Sequence, residues 1–201
     1  GTPAKFRLKP SSITGSTTVG ARVLSAPSAV KMFPPPSGLK APAISLSQPT
    51  NPGAGMQVGT SAFLGASNHG GTTVRLVASD STKVLLTSNA NVVGNDTLDV
   101  NLLNGSSSFG YTIQAKDGQT GTVDIVATAP GFTPDTITLT LQPVALDVIF
   151  LPGTTTSLAP NSTFQVRVGV PNGQFTAMAQ EQALWAGSPG FTVTVTTSPN
   201  G

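Results

Sequence analysis

Cysteine is absent from the sequence of 201 residues, and histidine, glutamate, tryptophan and tyrosine each occur once. The lack of cysteine excludes disulfide bridges, thiolate metal ligands and cysteine nucleophiles. Hydrolases need an activated nucleophile, a pair of carboxylates or a metal ion. His69 stands alone in the loop-like segment 68–71, and the seven aspartates are dispersed along the chain. We therefore predict a protein that is not an enzyme, with no catalytic residues and no cofactor.

One group of oxygen-bearing side chains leaves a metal site open as an alternative. Asn95, Asp96 and Asp99 lie close together in the sequence and offer amide and carboxylate oxygens. Calcium takes roughly six to eight oxygen ligands, usually with several carboxylates among them. Three side chains fall short of that number, so we predict no metal site and keep calcium as the alternative.

Charged residues are scarce, at 9% of the chain against roughly 25% in an average soluble protein. Residues 1–40 hold six bases and no acid, whereas the remainder holds four bases and all eight acids. A basic stretch of this kind is typical of a solubilising region or of contact with an acidic partner. We name Lys5, Arg7 and Lys9 as possible partner contacts. The basic residues are dispersed, and few aromatic residues lie among them to stack on nucleobases. We therefore expect no nucleic acid partner.

Long apolar runs are also missing. A membrane helix requires roughly 18–20 consecutive apolar residues, and no segment approaches that length. The sequence has no signal peptide and begins at Gly1 rather than methionine. We expect no membrane insertion, and we expect a mature product or a piece of a longer chain.

The residues that are abundant indicate short β-strands. Apolar and β-branched residues alternate with threonine and other polar residues over most of the chain, and glycine and proline separate the alternating segments. This pattern predicts an all-β fold of antiparallel sheets, each buried on one face. Residues 43–142 are predicted to form one sandwich with strands at 44–46, 57–65, 73–78, 83–87, 98–102, 109–114, 123–127 and 136–141.

The N-terminal residues 1–42 differ from this pattern. Six prolines lie in residues 1–40, and three of them are consecutive at 34–36. Such a stretch favours the extended polyproline conformation. We interpret residues 1–42 as a basic, Pro-rich extended arm or the end of a preceding domain, with the linker at 34–42.

Residues 144–201 are predicted to be a second, incomplete copy of the sandwich. Strand-like segments occur at 145–151 and 164–170, and Gly190–Ser198 matches Gly71–Ser79 in its alternation. An insertion at 176–186 is rich in helix-forming residues, and Met178, Gln182 and Trp185 share one helical face. We predict a short helix there that covers the end of the sandwich. As the alternative, Trp185 is exposed and contacts a sugar or a partner chain.

One segment carries a family resemblance. Residues 122–141 contain Ala129-Pro130-Gly131-Phe132 between two alternating strands. This segment resembles the last two strands of bacterial immunoglobulin-like (Ig-like) domains, in which Ala-Pro-Gly-Tyr precedes a Thr/Val strand. Residues 74–80 resemble the third strand of the same family. The resemblance covers 43–142 and, as a truncated copy, 144–201, but not residues 1–42. It implies tandem Ig-like modules of a bacterial surface or secreted protein, without the cysteine pair of antibody domains.

Fold alone does not determine function. Our leading expectation is a non-enzymatic extracellular structural module, either a building block or a spacer of a bacterial surface protein, filament or coat. The partners expected are other copies of the chain or neighbouring Ig-like domains, joined by exchange of strands or arms. The alternatives are an adhesin or carbohydrate-binding module that contacts cell-surface glycan, and an accessory domain of a larger secreted enzyme.

Overall fold

A computed structural model describes residues 40–154, 156, 158, 160 and 163–194. The predicted arm therefore lies outside the described residues except for its last three positions. Lys5, Arg7 and Lys9 lie outside them as well, and so do the last residues of the predicted second copy, 195–201.

The described residues form strands and no helix. The strands are β1 Ile44–Leu46, β2 Met56–Leu64, β3 Thr72–Ala78, β4 Val84–Thr87, β5 Thr97–Leu102, β6 Ser108–Ala115, β7 Gly121–Thr128, β8 Asp135–Leu141, β9 Ala145–Ile149, β10 Gln165–Pro171, β11 Met178–Glu181 and β12 Ala183–Leu184. All pairings between these strands are antiparallel. The prediction of an all-β antiparallel fold is thus confirmed. No helix in the described part of the chain is long and apolar enough to span a membrane.

Strands β1–β8 form a sandwich, and this name is used below for residues 44–142. One sheet has the order β1-β2-β6-β4 and the other β5-β3-β7-β8. Inward and outward residues alternate as the sequence predicts: Val74, Leu76 and Ala78 of β3 are buried, and Arg75 between them is exposed. Alternation of this kind gives each sheet one apolar face, and the two apolar faces pack on each other.

Short bridges tie the two sheets together at their edges. Beside β8, Ala43 pairs with Thr133 and Gly53 pairs with Gln142, both in the parallel sense. On the opposite side, Asn95 exchanges two backbone hydrogen bonds with Leu86 of β4 before the chain enters β5. Bridged edges leave fewer open backbone groups, which disfavours unwanted strand pairing.

The buried tyrosine of the core leads to a prediction about pH. Tyr111 is 3% exposed, and its hydroxyl has no hydrogen-bond partner among the described residues. Burial, and secondarily the charge of Asp135, raises the pKa of Tyr111 to about 12. Because an unfolded tyrosine ionises near 10, stability is unaffected below pH 10 and falls between pH 10 and 12, by roughly 3 kcal/mol in total.

We expect Tyr111→Phe to remove this loss, and to leave the free energy of unfolding at pH 7 unchanged or about 1 kcal/mol higher. Urea denaturation of both proteins from pH 7 to pH 12 measures the difference. Tyr111 is the only tyrosine of the chain, so the difference curve isolates its titration. Equal slopes above pH 10 in the two proteins would show that Tyr111 is accessible to water.

Strands β9, β10 and β11 form a separate three-stranded sheet, called the C-terminal sheet below. Its order is β11-β10-β9, with β10 in the centre. Strand β12 does not join it but pairs with β2 of the sandwich. The segment after β11 therefore connects the C-terminal sheet to the sandwich.

The predicted helix at 176–186 is wrong, because β11 and β12 occupy that segment. Residues 172–177 form a turn in which the Asn172 amide donates to the Ala177 oxygen at 2.9 Å, and this turn directs β11 back along β10. An isolated helix of about eleven residues is marginal in water even with favourable composition. Pairing with β10 and β2 supplies hydrogen bonds and burial that such a helix lacks, so tertiary contacts override local propensity.

Candidate functional site

The side chains considered as candidate catalytic or metal-binding residues form hydrogen bonds that hold loops and strands in place. His69 Nε2 donates to the backbone oxygen of Ser106 at 2.8 Å, and its Nδ1 accepts from the Gly71 amide at 3.1 Å. Both ring nitrogens thus fix the loop between β2 and β3. Among the described residues, no three histidine, aspartate or glutamate side chains lie close enough together to hold a metal ion.

One of the two aspartates considered for calcium is paired with an arginine. Asp99 of β5 lies opposite Arg75 of β3 and accepts two hydrogen bonds from its guanidinium, at 2.8 and 2.7 Å. These hydrogen bonds and the guanidinium charge hold the pKa of Asp99 below its usual value. The pair is exposed on the outer face of the sheet, where an ion pair contributes little to stability.

The most elaborate polar arrangement lies where the C-terminal segment meets one end of the sandwich. We call it the junction and define it as residues 51–56, Asp117 and residues 182–188. In β12, Ala183 pairs with Gln57 and Leu184 with Met56. Strand β12 therefore lies along the same edge of β2 as β1 does. The Trp185 amide continues this ladder by donating to the Gly55 oxygen at 3.2 Å.

Gln182 is the central polar residue of the junction, and it is 6% exposed. Its Oε1 accepts from the Gly53 amide at 2.8 Å, and its Nε2 donates to the Asn51 oxygen at 3.1 Å. Its own amide donates to Val168 of β10 at 3.2 Å. One side chain therefore satisfies backbone groups of the sandwich, while its backbone is bonded to the C-terminal sheet.

Asp117 is the second anchor of the junction. It lies in the turn after β6, and its two carboxylate oxygens accept from Trp185 Nε1 at 2.8 Å and from Ser188 Oγ at 2.9 Å. Trp185 is half-buried there. Its indole N–H thus has a partner within its own chain.

Two glycines allow the close approach of these elements. A β-carbon on Gly53 would stand 2.9 Å from the sulfur of Met56 and 3.0 Å from Val170 of β10. Gly55 has a φ of 80°, and a β-carbon there would stand 2.7 Å from Asp117. Positions 53 and 55 of this loop therefore favour glycine, because both parts of the chain approach them closely.

Sequence reasoning identified part of this site. It named Trp185 as a possible partner contact and placed Gln182 on the same surface, although through a helix that does not form. Asp117 was not among the residues singled out, because nothing in the sequence relates it to a tryptophan 68 residues away. Contact of Trp185 with a second molecule stays a prediction.

The single tryptophan makes the junction measurable by fluorescence. Replacement of Asp117 by alanine removes both hydrogen bonds to the carboxylate, which costs about 2 kcal/mol at the junction. We expect the Trp185 emission to shift to longer wavelength as water reaches the indole. Asp124→Ala is the matched control, since its carboxylate bonds Thr138 on the outer face of the sandwich. Unchanged emission in Asp117→Ala would contradict the anchoring role.

Comparison of the sequence with protein-family models and with curated proteins finds no match. The function is therefore argued from the junction and from the sandwich themselves.

Proposed function

We propose that the chain is a non-enzymatic structural module of an extracellular bacterial protein, in which Ig-like units are joined end to end at a fixed angle. The observation that carries the proposal is the junction, which fastens the C-terminal sheet to the sandwich through a strand pairing, a buried glutamine and an anchored tryptophan. A building block or spacer needs such fixed connections between its units.

The strand order supports the Ig-like part of the proposal. Ig sandwiches have the order A-B-E-D in one sheet and C-F-G in the other. Strands β1-β2-β6-β4 and β3-β7-β8 match these orders, with β4 in the place of strand D. Strand β5 lies beside β3, where variable-type domains have strand C′. It follows β4 in the sequence instead of preceding it, which is a departure from that topology.

The C-terminal sheet supports the proposal of a second unit. Strands β9 and β10 form an antiparallel pair, as β1 and β2 do at the start of the sandwich. In each case a short strand precedes a longer one. The two units differ in the segment that follows, because β11 and β12 are inserted after β10.

Two separate attachments favour a fixed angle between the units. The first is the connection from β8 to β9, which spans only residues 142–144, with Gln142 bonded to Pro52 and Ala54. The second is the junction segment 182–188, which returns to the sandwich after β11. A single flexible linker allows rotation between domains, whereas a second connection to the same end of the sandwich restricts it.

Distance measurements between spin labels test the fixed angle. The chain has no cysteine, so labels attach only where cysteine is introduced. Thr136→Cys in β8 and Gln165→Cys in β10 place exposed labels on the sandwich and on the C-terminal sheet. We expect one narrow distance distribution, as narrow as that of the control pair Thr136→Cys and Ser108→Cys within the sandwich. A broad distribution would contradict a spacer of fixed geometry.

The extracellular part of the proposal has its own test. An antibody raised against the purified chain is expected to label intact cells of the source organism or its culture medium. Labelling only after the cells are lysed would contradict the proposed location and leave the structural role of the junction intact.

A further inference from the structure

Three of the four outer edges of the sandwich are closed within the described part of the chain. At the β4 edge, Leu86 exchanges two backbone hydrogen bonds with Asn95. The Leu46 amide of β1 donates to the carboxylate of Asp135 at the start of β8, and parallel bridges lie beside β8, so these two edges close on each other. Closed edges of this kind prevent pairing with strands of other molecules.

Strand β5 is the fourth edge, and its outer side carries backbone groups that β3 does not bond. The Ala78 amide donates to the Asp96 oxygen at 2.8 Å, directly beside the register in which β3 pairs with β5. Bonded and non-bonded positions alternate along an antiparallel pair. Thr97, Asp99 and Asn101 therefore direct their N–H and C=O groups away from β3. In the described part of the chain, β5 has no neighbouring strand on that side.

The β5 edge also lacks the features that usually block strand addition. Natural edge strands are often very short, bulged, or occupied by lysine or proline. Strand β5 contains neither lysine nor proline, and it pairs with β3 over six consecutive positions without a shift of register. Its one charged residue, Asp99, forms an ion pair with Arg75 of its own sheet. The edge can therefore accept a further strand.

Apolar surface is left uncovered at the same edge. Leu98 and Val100 of β5 face the core but are only partly buried, whereas Val74 and Leu76 of β3 are fully buried. The difference arises because β3 has a strand on each side and β5 has a strand on one side only. A strand added beside β5 removes this remaining apolar surface from water.

The polar residues of β5 indicate a second copy of β5 as the added strand. If β5 pairs antiparallel with its own copy about Val100, Asp99 lies opposite Asn101 of the second copy. Asn101 Oδ1 accepts from Thr73 Oγ1 at 2.6 Å, so Asn101 Nδ2 is the group available to donate to the opposite carboxylate. Two-fold symmetry forms this complementary contact twice.

The charge and length of β5 also select the register. Residues with outward backbone groups must lie opposite one another, which a two-fold axis at Leu98, Asp99 or Val100 allows. An axis at Asp99 places two carboxylates opposite each other, and like charges there are destabilising. An axis at Leu98 pairs only residues 97–99. An axis at Val100 pairs residues 98–102 and brings Leu98 opposite Leu102, which joins the apolar sides of the two strands.

From these observations we infer that the β5 edge is an interface between two copies of this chain, in which the two β5 strands pair antiparallel about Val100. The sheets β5-β3-β7-β8 of the two copies then form one continuous sheet. The inference goes beyond the proposed function, because the junction joins units within one chain and the β5 edge joins two chains side by side. A chain that stays monomeric would refute the interface and leave the junction and its fixed angle intact.

Sedimentation velocity of the whole chain between about 1 and 500 µM tests the interface. Pairing through one edge buries little surface, so we expect a reversible dimer with a dissociation constant on the order of 10–100 µM. Asn101→Asp keeps an acceptor for Thr73 Oγ1 but places two carboxylates opposite each other. We expect it to raise the dissociation constant at least tenfold. Thr136→Asp, the same change of charge on the exposed side of β8, is the control and leaves dimerisation unchanged.

A monomer at every concentration, or equal weakening by Asn101→Asp and Thr136→Asp, would overturn the inference.

Hydrogen exchange identifies the occupant of the β5 edge in the unaltered protein, so it also covers the case in which Asn101→Asp folds poorly. The amides of Thr97, Asp99 and Asn101 are expected to exchange at least ten times more slowly at the high concentration than at the low one. The Leu98 amide, which is directed toward β3, is the internal control and is slow at both. Protection of the three amides in the dilute monomer would assign the edge to another segment of the same chain. That result, or rapid exchange at both concentrations, would contradict pairing with a second copy.

Discussion

Replacement of Gln182 by alanine is expected to lower the stability of the junction by about 3 kcal/mol. The change leaves the Gly53 amide and the Asn51 oxygen without their side-chain partner. Each buried backbone group without a partner costs about 1–3 kcal/mol. Because Gln182 is itself buried, water cannot replace it without opening the junction. Native-state hydrogen exchange of β9–β11, read beside the Trp185 emission, measures the loss.

Gln180→Ala is the matched control for this prediction. Gln180 lies in β11, two residues before Gln182, and its side chain is exposed. We expect it to change the stability of the junction by less than about 0.5 kcal/mol. If the amides of β9–β11 exchange at the same rate in Gln182→Ala and in Gln180→Ala, Gln182 contributes no more than an exposed polar residue of β11. The account of the junction is then wrong.

Gly169→Ala is expected to have an effect of similar or larger size on the C-terminal sheet. Gly169 of β10 pairs with Glu181 of β11, and a β-carbon at this position would overlap the backbone oxygen of Gln180. Backbone atoms of a paired strand cannot turn aside as a flexible side chain does. We therefore expect β11 to separate from β10, at a cost of about 3 kcal/mol.

Gly173→Ala provides the comparison for Gly169→Ala. Gly173 lies in the turn between β10 and β11, and a β-carbon there would meet no atom within 4 Å. We expect this variant to retain the stability of the parent, since an alanine restricts the unfolded chain at no steric cost. Thermal unfolding followed by circular dichroism, with hydrogen exchange of β9–β11, compares the two. Retained pairing of β11 in Gly169→Ala would contradict the close approach of the two strands.

The strands of the sandwich were predictable because one physical signal governs them. In a sheet buried on one face, inward and outward residues alternate with a period of two, as in Val123, Ile125 and Ala127 of β7. Each connection between these strands contains glycine or proline, except the turn at 79–83 between β3 and β4. These local signals are strong where each strand buries its residues within the same unit.

The junction was harder to predict because its interactions are distant in sequence. Gln182 bonds residues about 130 positions away, and Trp185 bonds a residue 68 positions away. Local propensity favoured a helix over 176–186, and only the backbone partners offered by β10 and β2 reverse that preference. A single sequence contains no signal for such partners.

The two glycines of the loop at 53–55 show a related limit. Sequence reasoning identifies glycine as a turn residue, which Gly55 is by its φ of 80°. It does not reveal that Val170 and Met56 pack against Gly53 and leave little room for a side chain there. The first property is local, and the second depends on how the C-terminal sheet meets the sandwich.

Hydrogen exchange at the Gly53 amide tests the central claim most directly, since this amide donates to Gln182 across the junction. If the junction fastens the two units as described, the Gly53 amide exchanges within about tenfold of the core amides of β6. It also becomes much faster in Gln182→Ala. Exchange of the Gly53 amide in the unaltered protein at the rate of the exposed turn at Gly118 would contradict the account, because the two units would then not be joined there.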